Sequence, residues 1–124
     1  MTLLLDTHVL LWWLVDDRRL TSAMREAIAD PSTAVAVSAV SAWEVVIKGA
    51  LGKLSVPTDL ADQIEHHGFD ALPITVEDGL AVGALPRHHD DPFDRMLIAQ
   101  ALRRRFVLVT ADRRFADYDV LTLT

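Results

Sequence analysis

DPFDRMLIAQALRRRFVLVTAD, residues 91–112, decides the fold class. Asp91 precedes Pro92, and proline suits a first helical position because the N–H it lacks has no intrahelical partner there. Leu97, Ile98, Ala101 and Leu102 then recur with a 3.6-residue period, which gives one apolar helix face. At Phe106 the pattern changes. Phe106-Val107-Leu108-Val109 is a continuous apolar run, too short for another helix, and predicts a strand buried on both faces. A helix feeding such a strand is half of a parallel α/β unit.

The same alternation extends to both ends of the chain. Leu3-Leu4-Leu5 reads as a buried strand ending at Asp6, with a helix over Val9 to Leu14 packed on it. Thr21 opens a helical segment that Pro31 stops, and Ala34 to Val37 reads as a second strand. A helix follows from Ser41 to about Gly49 or Gly52, then another from Thr58 to His67, terminated by Gly68. Phe69 to Ile74 predicts a third strand, Thr75 to Ala84 a helix ended before Pro86, and Val120 to Leu123 a short fifth strand. The expected architecture is a three-layer α/β/α sandwich around a mainly parallel sheet of four to five strands. In such sheets ligands bind at the carboxyl ends of the strands, near the point where strand order reverses, so functional residues should follow strands.

Composition bounds the chemistry. A chain of 124 residues with no repeat and no linker-like stretch predicts one domain over residues 1–124. At 51% hydrophobic and 24% charged residues it has none of the signature of disorder. The absence of cysteine removes thiol nucleophiles, Cys-ligated zinc and iron–sulfur clusters. The longest apolar run, Val9 to Val15, is seven residues, so no membrane span is expected. Asp6 interrupts the N-terminus before a leader could form, and the expected location is the cytoplasm. Charge is unevenly placed: residues 1–86 carry net −7, residues 87–114 net +3 from seven arginines against four acids, and residues 115–124 net −2. An acidic chain is a poor indiscriminate polyanion binder, yet its arginine-rich third can hold phosphates locally.

Each acid that follows a strand has a bland local reading. Asp6 is placed to cap a helix, and Glu44, three after Ser41 and four before Lys48, fits both a capping box and an i,i+4 ion pair. Asp91 is a natural N-cap, Asp94 suits the helix dipole, and Asp112 stands in an ordinary strand-to-helix turn. Their conjunction says more, because all of them fall at the same expected edge of the sheet. Carboxylates gathered at about 6 Å would repel by roughly 3 kcal/mol per pair at an effective dielectric of about 20, so something positive is needed. Oxygen ligands without Cys or a His-x-x-x-His pair suit Mg²⁺ or Mn²⁺. Such ions activate water and neutralise a phosphodiester under attack, which makes hydrolysis of a phosphate backbone the natural chemistry. His88-His89-Asp90-Asp91 resembles a fragment of a His/Asp metal site, but two adjacent histidines do not easily face one metal. His8 reads as a packing residue, His66 and His67 as a solvent-facing pair, and Trp12, Trp13 and Trp43 as core or interface.

The order of these acids resembles the PIN (PilT N-terminus) domain ribonucleases, and among them the VapC-type toxins of toxin–antitoxin modules. The carriers are LLLDTHVLLWWL at 3–14, SAVSAWEVVIKGALGKL at 38–54, LPRHHDDPFDRMLIAQA at 85–101 and LVTADRRFADYDV at 108–120. The resemblance implies that Asp6, Glu44, Asp94 and Asp112 are the catalytic acids that bind Mg²⁺ or Mn²⁺, with Asp91 accessory and Thr110 helping to place a water or phosphate. It implies an RNA substrate, endonucleolytic cleavage, a VapB-type antitoxin and a homodimer. Arg95, Arg103, Arg104, Arg105, Arg113 and Arg114 flank the expected pocket in sequence, and Arg95, Arg113 and Arg114 are taken as RNA contacts. An acidic pocket would also admit an antitoxin arginine in place of the cation. Two other readings remain: an idle PIN-like binding module, and a phospho-receiver domain, which would need a late lysine where this chain has only Lys48 and Lys53.

Overall fold

The computed structural model describes residues 1–124. In chain order the elements are β1 (Thr2–Leu5), α1 (Thr7–Val15), α2 (Ser22–Ala29), β2 (Ala34–Ser38), α3 (Ala39–Ala50), α4 (Leu60–His66), β3 (Asp70–Leu72), α5 (Val76–Val82), α6 (Pro92–Arg104), β4 (Val107–Val109), a 3₁₀ turn at Arg113–Asp117, and β5 (Thr122–Leu123). The five strands form one sheet in the order β3-β2-β1-β4-β5. All four pairings are parallel. The order reverses at β1: the chain builds outward through β2 and β3, then returns to place β4 on the other side of β1.

The three apolar residues of β1 show why the sheet is covered on both faces. Leu3 and Leu5 join a core with Val9, Leu10, Met24 and Ile28, under α1 and α2. Leu4 points the other way, into a second core with Val40, Leu97, Ile98 and Ala101, under α3 and α6. Alternate residues of a strand face opposite sides, so a run without polar gaps needs two apolar layers. α6 starts as its sequence predicts, with Asp91 accepting the N–H groups of Phe93 at 2.8 Å and Asp94 at 3.1 Å, and Pro92 in the first turn. It ends at Arg105, whose φ of 57° turns the chain back into β4.

The differences from expectation lie at element ends. α3 begins earlier than Ser41: Ser38 caps it, accepting from the Val40 N–H at 3.1 Å. Ser41 is therefore inside the helix and buried, and the capping-box reading of Glu44 does not hold. β3, β4 and β5 are shorter than the apolar runs that announce them, because residues beyond the paired stretch continue as loop. The 3₁₀ turn after β4, which carries Arg113 and Arg114, has no counterpart in the apolar periodicity.

Candidate metal and active site

β1 and β4 end side by side, tied by the Asp6 N–H donating to the Val109 carbonyl at 2.9 Å. Just beyond their carboxyl ends is a cleft of about 270 Å³ lined by five acids, Asp6, Glu44, Asp91, Asp94 and Asp112, and two cations, Lys48 and Arg114. The cleft sits where the strand order reverses. A larger hollow of about 730 Å³ between α3, α4 and β3 is lined by groups such as Val46, Val56 and Ile64 and contains no titratable side chain. It offers no chemistry.

Asp6 is buried, and its carboxylate makes no cap to α1 despite standing at the N-cap position. Instead Oδ2 accepts the Thr110 hydroxyl at 2.7 Å. Thr110 in turn accepts the Asp112 N–H at 3.0 Å, so one hydroxyl links the ends of the two central strands. Burial raises the Asp6 pKa against the lowering effect of Thr110 and His8. Glu44, 2% exposed, accepts the Thr7 hydroxyl at 2.6 Å on Oε1 and pairs through Oε2 with Lys48, one helical turn on. Asp112 accepts the Arg114 N–H at 2.9 Å and its guanidinium at 2.7 Å, and these bonds hold it below the usual carboxylate range.

Asp94 differs from the other acids. Burial, followed by the charges of Asp91, Asp6, Glu44 and Asp112, pushes its pKa up to about 8. No arginine, lysine or hydroxyl pairs with it; the group that faces it is His89, with Nε2 at 3.0 Å from Oδ2. One ligand atom each from His89, Asp94 and Asp112 lies within 4.8 Å of the others. These residues fit a hard divalent cation. Five acids face two cations across the cleft, and burial together with the neighbouring carboxylates disfavours charge on Asp94 unless a positive group joins it.

The structure thus brings Asp6, Glu44, Asp91, Asp94 and Asp112 together, with Thr110 between two of them. It corrects the reading of Arg95. That side chain is 9% exposed, and its guanidinium donates to the carbonyls of Pro86 and Val82 at 2.9 and 3.0 Å and to the Tyr118 hydroxyl at 3.2 Å. Buried and occupied, it clamps a loop and cannot meet RNA. Arg103 and Arg104 are likewise engaged, both on Asp78. Arg113 is exposed, and Arg114 is at the cleft on Asp112. His89 is the residue that sequence reasoning set aside. The objection to paired histidines was sound, since His88 is exposed and packs edge-on against Tyr118 at 5.1 Å, but it removed one histidine, not both. The usable signal was position: His89 stands two residues before the N-cap of α6, where a side chain can fold back over the first turn.

An acid-lined cleft at the switch point of a five-stranded parallel sheet defines a class of candidate metal-dependent α/β enzymes. Residues 3–121 match the PIN domain family model, and the chain belongs to that family. It is 34% identical over 125 residues to Ribonuclease VapC22 of Mycobacterium tuberculosis, covering 94% of this chain and 92% of the relative. Solved structures share the fold. VapBC2 from Rickettsia felis, bound to a DNA fragment from its promoter, superposes with a TM-score of 0.72 at 11% identity, covering 99% of this chain and 98% of that one. DNA-bound VapBC from Salmonella typhimurium gives 0.71 at 17% identity, covering 99% and 97%. A toxin–antitoxin complex from Klebsiella pneumoniae gives 0.67 at 20% identity, covering 98% and 95%.

Proposed function

We propose that this PIN domain is a metal-dependent endoribonuclease, the toxin of a VapBC-type module, with residues 1–124 working as a single domain. The observation that carries the reading is the convergence of Asp6, Glu44, Asp94 and Asp112 on one cleft at the strand-order reversal. The identity to a ribonuclease along nearly the whole chain supports RNA as the substrate.

Asp6, Glu44, Asp94 and Asp112 would hold Mg²⁺ or Mn²⁺, with Asp91 accessory. A bound ion would activate a water for attack and offset negative charge at the phosphate. The chain's own contribution is to fix the carboxylates before the ion arrives. Thr110 orients Asp6, Thr7 and Lys48 orient Glu44, and Arg114 orients Asp112. Asp91 uses Oδ1 on two backbone N–H groups and so anchors the helix turn that presents Asp94. Arg114, which lines the cleft, and the exposed Arg113 that precedes it would contact the RNA backbone, which positions the strand without reading sequence.

A VapB-type antitoxin would silence the cleft by placing an arginine among the acids, and the toxin would act as a homodimer. No helix of the chain is long and apolar enough to cross a membrane, in keeping with a cytoplasmic protein. A phospho-receiver is excluded by topology, since that sheet runs 2-1-3-4-5 and this one 3-2-1-4-5. The test is cleavage of RNA by purified protein with Mg²⁺ or Mn²⁺. EDTA should abolish it. Activity that persists in EDTA would refute the proposal, and an intact, ion-binding protein that cuts no RNA would favour an idle PIN-like module.

A further inference from the structure

Every acid of the cleft but one has a donor supplied by a hydroxyl, a cation or a backbone N–H. Asp94 has only the imidazole of His89. That side chain is 3% exposed, with Nε2 at 3.0 Å from Asp94 Oδ2 and 3.8 Å from Asp112 Oδ2, a close polar contact with Asp94 that is not aligned as a hydrogen bond without the ion. The other ring nitrogen is already committed: Nδ1 accepts the Asp91 N–H at 3.1 Å. A nitrogen that accepts from an amide carries no proton. The proton of the neutral ring is therefore on Nε2, facing the two carboxylates.

The ring cannot easily turn away. Arg95 fastens the loop that carries it, donating to the carbonyls of Pro86 at 2.9 Å and His89 itself at 3.4 Å, and Phe115 packs against the imidazole at 6.2 Å. The residue that resembled an RNA contact in the sequence thus helps to hold His89 against the cleft.

We infer that His89 is a positioning residue: its Nε2–H holds the Asp94 carboxylate in place for the cation, and the imidazole does not itself ligate the ion. The inference rests on the cation-binding reading of the cleft. A ligating imidazole nitrogen must be free of its proton, and here the backbone of Asp91 assigns the proton to the nitrogen nearest the acids.

The direct test is ¹⁵N NMR of the histidine rings in the ion-free protein and with Mg²⁺ added. His89 should show a protonated Nε2 and a bare Nδ1 in both states. A proton on Nδ1, or loss of the Nε2 proton when Mg²⁺ is added, would overturn the inference. Calorimetric titration with Mn²⁺ supplies the second readout. His89→Ala should weaken binding by about 10–100-fold, the range for partners that orient a metal ligand. His89→Gln, which keeps a side-chain N–H donor, should recover most of that loss. Wild-type affinity in His89→Ala, or no recovery in His89→Gln, would contradict a positioning role. If the alanine variant does not fold, the spectra of the unmodified protein decide. Failure of the unmodified protein to bind Mn²⁺ would refute the cation reading instead, and the ion-free spectrum would still report whether His89 presents its proton to Asp94.

Discussion

Two buried aspartates serve opposite ends of α6. Asp78, fully buried at the start of α5, accepts Arg103 and Arg104 from the last turn of α6, together with Gln100 at 3.2 Å. It also closes a capping box with Thr75, accepting the Thr75 N–H at 3.0 Å. Burial would raise its pKa, but the arginines and the Thr75 N–H outweigh burial and hold it far below the usual range. Asp94, in the first turn of α6, meets only acids and one imidazole and is pushed up to about 8. Burial is common to both, so the partners decide. Asp78, supplied with two arginines of its own, is structural; Asp94, with none, is arranged for a cation from outside.

Removing the carboxylates should separate the two roles. Asp94→Asn should lower RNA cleavage by roughly a thousandfold, the loss of several kcal/mol of transition-state stabilisation, without unfolding the protein. Steady-state cleavage alongside circular dichroism checks this. Asp78→Asn should do the reverse. It leaves Arg103 and Arg104 without their acceptor and should cost roughly 1–3 kcal/mol of stability, discounted because both arginines are partly exposed, while the ion still binds. Urea unfolding measures it. Comparable stability losses in both variants would collapse the distinction.

The pH dependence sharpens the same contrast. Asp94 has a folded pKa raised to about 8, so its contribution to stability is complete below the ordinary carboxylate range near 3.8 and is lost as pH rises through about 8. Asp6, also raised, acts in the same direction. Asp78 is lowered; its contribution is present above about pH 4 and is lost only in acid. Without divalent ions the Tm should therefore fall between pH 5 and pH 8. The slope should shrink in Asp94→Asn and in saturating Mg²⁺, as scanning calorimetry can show.

Much of this was legible in the sequence. The helix-to-strand unit at 91–109, the apolar runs of β1 and β2, and the acids that follow them gave the parallel sheet and the contents of the cleft, because periodicity reports directly on burial. Side-chain direction was not legible. Arg95 and Arg113 look alike as letters in a basic segment, but Arg95 falls on the buried face of α6 and Arg113 opens an exposed 3₁₀ turn. His89 was hidden for a similar reason: its role depends on how a loop fastened by Arg95 folds back on Asp94, and no local period encodes that. Glu44 looked like a cap because Ser41 stands three before it, whereas the helix had already started at Ser38.

The smallest expected effects mark the edge of the site. Arg113→Ala should weaken RNA binding modestly and reduce the slope of log affinity against log salt by about one, the signature of one lost phosphate contact. Asp90→Asn, exposed and outside the lining of the cleft, should leave cleavage within about a factor of two. A large loss from Asp90→Asn would mean that the acids before α6 are assigned wrongly.

The most direct measurement is Mn²⁺ titration of the unmodified protein and Asp94→Asn at pH 7, in two buffers of different ionisation heat. The unmodified protein should bind and release up to about one proton, because Asp94 must surrender its proton to take the ion. Asp94→Asn should bind far more weakly and release none. No binding by the unmodified protein, or equal binding and proton release by both, would contradict the account.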